Sequence, residues 1–249
     1  MDKDNYWKNR ATVRSYSKQD IPQSLLIEML EEASHAPTTG NMQLYSVVIT
    51  RDPEMKLRLA PAHFNQPTVT GAPVVLTFCA DYNRFIKWCE VSNAVPGYDN
   101  FQSFMTAVLD TALFAQQFNT IAERHGLGCC YLGTTTYNAL MIAEVLDLPT
   151  MVVPVTTITV GYPAQPSQGE GVGRLPVEAI FHNEKYVDYT PASVKELYRE
   201  KEERADSRSF VKENNKESLA QVFTDIRYTR EACEHFSKIY SDFIKKQGF

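Results

Sequence analysis

The stretch Phe101-Gln-Ser-Phe-Met-Thr-Ala-Val-Leu-Asp-Thr-Ala-Leu-Phe-Ala-Gln-Gln-Phe-Asn-Thr-Ile-Ala-Glu-Arg-His125 decides the fold. Apolar residues recur along it at three- and four-residue spacing, which predicts one long helix. They form two adjacent stripes, Phe104, Val108, Ala112 and Met105, Leu109, Leu113. A helix that is apolar around much of its circumference is typical of a buried position. The sequence therefore predicts a central helix that packs on both sides.

Three short runs rich in β-branched residues flank this helix and predict the core strands of one sheet, at residues 45–50, 73–80 and 151–160. Two further helices are predicted, at residues 22–35 behind Pro22 and at residues 138–146 ahead of Pro149.

The C-terminal fifth of the chain has a different composition. Residues 195–217 carry interspersed charges of both signs and are predicted to run over a surface, whereas residues 219–243 regain apolar residues and predict one or two helices. We expect residues 1–190 to form the core and residues 191–249 to form an excursion with helices that belongs to the same domain.

Composition narrows the possible partners and compartment. Lys and Arg number 25 against 30 Asp and Glu, which gives a net charge of −5, and no long basic block is present, so no nucleic-acid partner is expected. No run of about 18 apolar residues occurs and the N-terminus is polar, so no membrane association is expected. These features predict a cytoplasmic protein.

Cysteines and histidines show no metal or disulfide pattern. The five cysteines are odd in number and form no C-x-x-C pair, so they are predicted to be reduced and mostly buried. The vicinal pair Cys129-Cys130 has two interpretations, a redox pair or two small buried side chains. The five histidines lack metal-ligand spacing, and no nucleophile motif is present, so neither a metal nor a catalytic side chain is predicted.

The segment Arg10-Ala-Thr-Val-Arg-Ser-Tyr16 is a candidate anion site. Two guanidinium groups four residues apart, with the Thr12 hydroxyl between them, can bind a phosphate or a delocalised oxyanion. An exposed N-terminal arm is the alternative interpretation of the same residues.

Four further motifs follow in order: Ala36-Pro-Thr-Thr-Gly-Asn-Met-Gln43, Asn65-Gln66, Gly126-Leu-Gly-Cys-Cys-Tyr-Leu-Gly133 and Gly173-Arg-Leu-Pro176. With residues 10–16, this series resembles the FMN-dependent nitroreductase family, and more closely its larger oxygen-insensitive nitroreductases and flavin reductases. The resemblance implies an α+β nitroreductase-like fold with a central, mostly antiparallel sheet flanked by helices. It also implies a long central helix and a homodimer across which the C-terminal extension is exchanged.

The resemblance also implies roles for individual residues. Arg10 and Arg174 would bind the FMN phosphate, while Arg14 would lie at the pyrimidine edge of the ring and stabilise the negative charge of reduced flavin. The tract that ends in Gly133 would pass beside the ring. The implied cofactor-binding residues are Arg10, Ala11, Thr12, Arg14, Thr38, Asn41, Gln66, Tyr131, Leu132, Gly133 and Arg174.

One position departs from the family pattern. Larger-chain relatives carry a lysine two residues before the position of Arg174, where this chain has Val172. The loss of one cation from the phosphate site predicts either weaker retention of FMN or compensation by another basic residue.

By resemblance, the chain is expected to be an FMN-dependent NAD(P)H oxidoreductase with two-electron ping-pong transfer. The implied partners are NADPH or NADH as donor and a small-molecule acceptor such as a nitroaromatic, a quinone or a flavin. Arg199, Arg204 and Arg208 are candidates for the 2′-phosphate of NADPH, or they belong to a solvated mixed-charge face. Two alternatives stay open: a reductase or dehalogenase of a dedicated metabolite, and a flavin-binding regulatory protein without turnover.

Overall fold

A computed structural model of the chain describes residues 6–165 and 173–249. The chain divides into two compact units. The first, here called the sheet unit, comprises Thr12–Gln168 and Phe236–Phe249, and the second, the excursion unit, comprises Met1–Ala11 and Gly169–His235. The expectation that both belong to one domain stays a prediction.

The sheet unit contains a four-stranded antiparallel sheet in the order β1-β2-β4-β3. Its strands are β1 (Tyr45–Thr50), β2 (Val74–Asp81), β3 (Gly128–Leu132) and β4 (Val152–Gly161). In register, Leu76 of β2 lies opposite Ile49 of β1 and Ile158 of β4. All eight residues of β2 are buried, because it lies inside the sheet and both of its faces are covered.

Eleven α-helices are assigned in residues 6–165 and 173–249. They are α1 (Tyr6–Asn9), α2 (Gln23–Ala33), α3 (Pro53–Leu59), α4 (Pro67–Gly71), α5 (Asn83–Val91), α6 (Phe101–Arg124), α7 (Ala139–Val145), α8 (Pro191–Glu203), α9 (Ala205–Glu213), α10 (Leu219–Val222) and α11 (Arg230–Gln247). A π-helical turn, Phe223–Arg227, follows α10. The predicted long helix is thus confirmed as α6, and the three predicted strands as β1, β2 and β4. The mixed-charge stretch 195–217 forms most of α8 and α9.

Helix α6 packs on one face of the sheet. Phe114 and Phe118 are buried against Phe78, and Ile158 belongs to the same core cluster. On another side of α6, Leu109 is 59% exposed and Leu113 is 47% exposed. Within the described chain, the sheet and α2 cover α6, and these two leucines stay outside that contact. Packing of α6 on both sides stays a prediction.

The second face of the sheet carries another core cluster, formed with α3, α4 and α7. Cys130 and Leu132 belong to this cluster, whereas Cys129 belongs to the cluster under α6. Neighbouring residues of a strand point to opposite faces, so the two thiols lie on opposite sides of the sheet. This placement favours two small buried side chains over a redox pair. Burial also raises the pKa of the Cys79 thiol.

The C-terminal end of the chain packs on the sheet unit itself. Phe243 and Ile244 are buried in a cluster with Leu44 and Tyr82, and the Gln247 carbonyl accepts a hydrogen bond from Met151 N at 2.8 Å. Exchange of the C-terminal extension across a dimer stays a prediction.

Candidate functional site

Part of the basic segment predicted to bind an anion lies beside β3, which is an edge strand of the sheet. Val13 N donates to the Cys129 carbonyl at 3.1 Å, and Ser17 N donates to the Tyr162 carbonyl at 2.8 Å. A Cβ atom added to Gly128 would lie 2.4 Å from Val13 Cβ. Glycine at 128 therefore permits this close approach, which positions the residues next to Val13.

Tyr16 anchors the end of the same segment. Its hydroxyl donates to the Val13 carbonyl at 2.8 Å and lies 2.7 Å from Thr159 Oγ1. Burial raises the pKa of Tyr16, so this hydroxyl stays protonated and able to donate. Arg14, between two anchored residues, is exposed. The backbone of Arg14 is thus held in place while its side chain is exposed, so the guanidinium group is accessible to a ligand.

The Thr38–Asn41 motif forms a turn with an unusual backbone. Residues Thr39–Asn41 make one 3-10 turn, and Gly40, Asn41 and Gln43 have φ values of 56°, 55° and 55°. Left-handed backbone at a residue other than glycine costs of order 1 kcal/mol and persists only where surrounding contacts impose it.

Two side chains hold this turn. Asp110 of α6 is 1% exposed, and its Oδ1 and Oδ2 accept hydrogen bonds from Thr39 N at 2.9 Å and Leu44 N at 3.3 Å. The guanidinium group of Arg84 donates to the Tyr45 carbonyl at 3.3 Å and also to the Gln43 carbonyl. Sequence reasoning missed Asp110. The available signal was a carboxylate in the middle of the long helix, among apolar residues.

The Gln66 loop and the Tyr131–Gly133 tract are tied together. His63 is fully buried, and its Nδ1 lies 2.8 Å from Thr134 Oγ1. Asn138 Nδ2 donates to the Ala62 carbonyl at 2.8 Å. Gln66, three residues after His63, is half-buried at the start of α4. The loop that carries Gln66 is thus held against the end of β3.

The predicted tract itself has one anchored residue between two accessible ones. Leu132 is 2% exposed in the core, while Tyr131 is 37% exposed. A Cβ atom at Gly133 would have nothing within 4 Å. Backbone at Gly133 therefore borders open space, which a planar ring can approach.

These observations fit the ring of FMN. The sheet unit offers an exposed cation at Arg14, exposed polar groups at Asn41, and open space at Gly133. The segment with Thr12 and Arg14 and the loop with Gln66 attach to the two ends of β3. The turn with Thr38 is anchored separately, on α6.

Three of the predicted cofactor-binding residues, including both arginines assigned to the phosphate, lie in the other unit. Arg10 and Ala11 are half-buried and Arg174 is exposed, and all three belong to the excursion unit. Val172, the position at which the family carries a lysine, lies outside the described residues.

Arg174 lines a cavity of about 410 Å³ within the excursion unit. Lys201 Nζ lies 5.5 Å from the centre of the Phe223 ring, and the Arg227 guanidinium carbon lies 4.5 Å from that of Phe210; all four residues line the cavity. The other lining residues include Gly173, Leu175, Pro176, Glu200, Arg204 and Asp206. Positive charge and ring faces together suit a phosphate-bearing aromatic ligand.

The three candidate arginines for a 2′-phosphate differ in their surroundings. Arg204 lines the cavity and pairs with Asp206 at 3.1 Å. Arg199 pairs with Glu196 at 2.9 Å on an exposed helix face, and Arg208 is exposed. The mixed-charge interpretation therefore suits Arg199, whereas Arg204 keeps the position that a binding residue requires.

His63 predicts a pH dependence of stability. Burial lowers its pKa from 6.5 to about 4. The unfolded chain takes up a proton at this residue as the pH falls through 6.5, but the folded protein does so only near 4. The free energy of unfolding is therefore expected to fall by about 3 kcal/mol between these pH values.

Urea titrations across this pH range should show a shallower decline in the free energy of unfolding for His63→Gln. The control variant His35→Gln, at an exposed histidine, should retain the decline. An unchanged decline in His63→Gln contradicts the prediction.

The fold and the site define a class: an α+β protein whose antiparallel sheet presents, at its β3 edge, an anchored cation and an open backbone tract. The Nitroreductase family model matches residues 7–162. The chain therefore belongs to the nitroreductase family, which confirms the predicted family and fold class.

Individual relatives agree. The chain is 32% identical over 183 residues, 72% of each chain, to the FMN reductase (NADPH) of Bacillus subtilis strain 168. A crystal structure from Bacteroides fragilis NCTC 9343, whose oxidoreductase assignment is provisional, is 53% identical, covers 98% of each chain and has a TM-score of 0.95. NfrA1 nitroreductase from B. subtilis is 27% identical, with 97% of this chain and 96% of that chain covered and a TM-score of 0.83.

Within residues 6–165 and 173–249, no helix is both long enough and apolar enough to cross a bilayer.

Proposed function

We propose that this chain is an FMN-dependent NAD(P)H oxidoreductase that passes two electrons to a small acceptor. The family match over residues 7–162 carries the proposal, and the relatives' names confirm the predicted class. The anchored, exposed Arg14 at the β3 edge supports it from the geometry of the chain.

When bound, FMN supplies the redox chemistry, accepting a hydride from the nicotinamide and passing electrons on. The residues of the chain bind and tune it. Arg14 provides positive charge at the pyrimidine edge, and Thr38, Asn41 and Gln66 provide hydrogen-bonding groups there. Arg10, with Thr12, and Arg174 bind the phosphate. Backbone of Tyr131, Leu132 and Gly133 borders the ring.

The acceptor is proposed to be a nitroaromatic, a quinone or a free flavin, in a ping-pong cycle in which donor and acceptor use one site in turn. The names of two relatives support a small acceptor: one from Pseudomonas sp. strain G-1, 31% identical over 190 residues, is a Cr(VI) reductase, and another from B. subtilis is an FMN reductase (NADPH). NADPH is the proposed donor, because Arg204 and Lys201 line a cationic cavity that suits its additional phosphate.

Anaerobic stopped-flow reduction tests the function. The FMN-reconstituted protein is mixed in parallel with NADPH and with NADH, and loss of flavin absorbance is followed before a panel of acceptors is added. We expect bleaching by NADPH and recovery of colour with the acceptors named above. Bound flavin that neither donor bleaches would identify a binding protein without turnover. Recovery only with a halogenated aromatic would identify a dedicated reductase.

We further propose that the protein is a cytoplasmic homodimer, with the extension exchanged between subunits. The exposed apolar stripe of α6, with Leu109 and Leu113, supports a second copy as its partner, since a solvated protein rarely leaves a helix stripe of this kind uncovered.

Leu109→Glu is expected to shift the protein from dimer to monomer, because the substitution places a charge at the centre of this stripe. Light scattering coupled to gel filtration gives the mass of each species. The matched control is Leu57→Glu, at a leucine that is 63% exposed on α3 and outside the stripe. A dimeric Leu109→Glu variant would show that the subunits meet through another surface.

A further inference from the structure

Asp110 is a carboxylate that is buried among mostly apolar residues. It lies within α6, is 1% exposed, and neighbours apolar positions of the same helix such as Ala107 and Phe114. A carboxylate removed from water needs hydrogen bonds to each oxygen, or it destabilises the protein. Both of its oxygens have them, and neither donor belongs to α6.

The two donors are the backbone amides at the ends of one turn. Oδ1 accepts from Thr39 N at 2.9 Å, and Oδ2 accepts from Leu44 N at 3.3 Å. Between these amides lie Gly40, Asn41 and Gln43, all with positive φ. Asp110 thus bridges the two ends of the segment that has the least favourable backbone conformation. Its hydrogen bonds offset the conformational cost of that segment.

The direction of these bonds decides what the turn presents to its surroundings. The amides of Thr39 and Leu44 point inward to Asp110, and Leu44 is itself fully buried. Asn41 is exposed and Thr38 is half-buried on the same turn. These are the two residues proposed to contact the pyrimidine edge of the flavin. If the turn lost these hydrogen bonds and changed conformation, Thr38 and Asn41 would no longer be held in one position.

We propose that Asp110 is a positioning residue for the cofactor: it binds no flavin itself, but fixes the turn 38–44 in the conformation that presents Thr38 and Asn41 to the ring. This inference rests on the proposed function. Asparagine cannot replace the carboxylate, because its amide has one acceptor oxygen and would turn an NH₂ donor towards a second N–H donor. The chemistry of the two amides therefore selects aspartate.

Thr111 provides a matched control for a purely structural role. It is the next residue of α6, is fully buried, and donates through Oγ1 to the Ala107 carbonyl at 2.7 Å and to the Cys79 carbonyl at 3.2 Å. Thr111→Val removes these buried polar contacts without touching the turn 38–44. Any effect common to Asp110→Asn and Thr111→Val reports packing of α6 alone.

The test measures FMN affinity by quenching of flavin fluorescence in wild type, Asp110→Asn and Thr111→Val. Loss of one hydrogen bond to a charged group predicts a dissociation constant about tenfold higher in Asp110→Asn. Thr111→Val should stay within about twofold of wild type. Equal FMN affinity in wild type and Asp110→Asn, or an equal loss in both variants, overturns the proposal.

A second variant keeps the test sound if Asp110→Asn does not fold. Thr39→Pro removes one donor to Asp110 but replaces no buried side chain, since Thr39 is exposed, and the extended ψ of 155° at Thr38 accommodates a following proline. It is expected to weaken FMN binding to a similar extent. Unchanged affinity in Thr39→Pro contradicts the proposal.

Amide hydrogen exchange of the flavin-free protein separates failure of this inference from failure of the proposed function. Asp110→Asn should lose protection at the amides of Thr39 and Leu44, while Thr111→Val retains it. If wild type binds no FMN, the proposed function fails, and with it the cofactor role of Asp110. Exchange then decides alone whether Asp110 fixes the turn, and unchanged protection in Asp110→Asn overturns that as well.

Discussion

Gly128→Ala is expected to lower the free energy of unfolding by about 1–3 kcal/mol and to weaken FMN binding. The added Cβ would lie 2.4 Å from Val13 Cβ and 2.5 Å from its Cγ2. Rotation of the β-branched Val13 side chain leaves its Cβ in place, so it cannot relieve the contact. A shift of the Val13 backbone would break the hydrogen bond from Val13 N to the Cys129 carbonyl. The segment that carries Arg14 must therefore move away from β3.

Urea unfolding and FMN titration measure the two effects. Gly71→Ala is the matched control, because a Cβ at Gly71 has nothing within 4 Å and its φ is not positive. In the double variant Val13→Gly/Gly128→Ala, residue 128 carries a Cβ and residue 13 does not, so the clash is removed. This variant is expected to recover part of the FMN affinity. If Gly128→Ala were as stable as Gly71→Ala, the close approach of residues 13 and 128 would not exist in solution.

Arg14→Gln is expected to slow the reduction of bound flavin by NADPH about tenfold to a hundredfold, with little change in stability. Removal of a preorganised group that stabilises developing negative charge typically slows a reaction about a hundredfold to a thousandfold. We expect a smaller factor here because Arg14 is exposed to solvent. Stability should change by about 0.5 kcal/mol or less, since Arg14 is exposed and only its backbone neighbours are anchored.

Single-turnover reduction in the stopped-flow instrument and the flavin midpoint potential test the role of Arg14 together. A lower potential with a slower reduction supports a tuning cation, and Arg14→Lys should recover part of both because it retains the charge. Arg58→Gln, at an exposed arginine of α3, is the control for net charge. An unchanged potential in Arg14→Gln would remove Arg14 from the flavin edge.

Some features were predictable because their causes are local. The β-branched runs at 45–50 and 151–160 gave strands within a residue or two of β1 and β4, and the apolar spacing of 101–125 gave α6. β3 was missed, because Gly-Cys-Cys-Tyr-Leu contains no β-branched residue. It is a strand because β4 pairs with it and four of its five residues are buried.

The candidate site divides in the same way. The order of its motifs predicted the family, and the residue types predicted a cation at Arg14 and a turn at Thr38 to Asn41. Asp110 and His63 escaped prediction, since each meets its partner 71 residues away in the sequence. The long apolar helix was predicted, but only its structure separates the buried stripe from the exposed Leu109.

The sequence by itself therefore determined three of the four strands, the long helix, the family and the chemistry available at each motif, because propensity, periodicity and residue type act over a few neighbours. The tertiary structure alone decided the strand order, the approach of Val13 to Gly128, and the bonds from Asp110 that hold the turn. Those contacts join residues far apart in the chain, and packing of the sheet unit, which no local pattern encodes, brings them within hydrogen-bond or van der Waals distance.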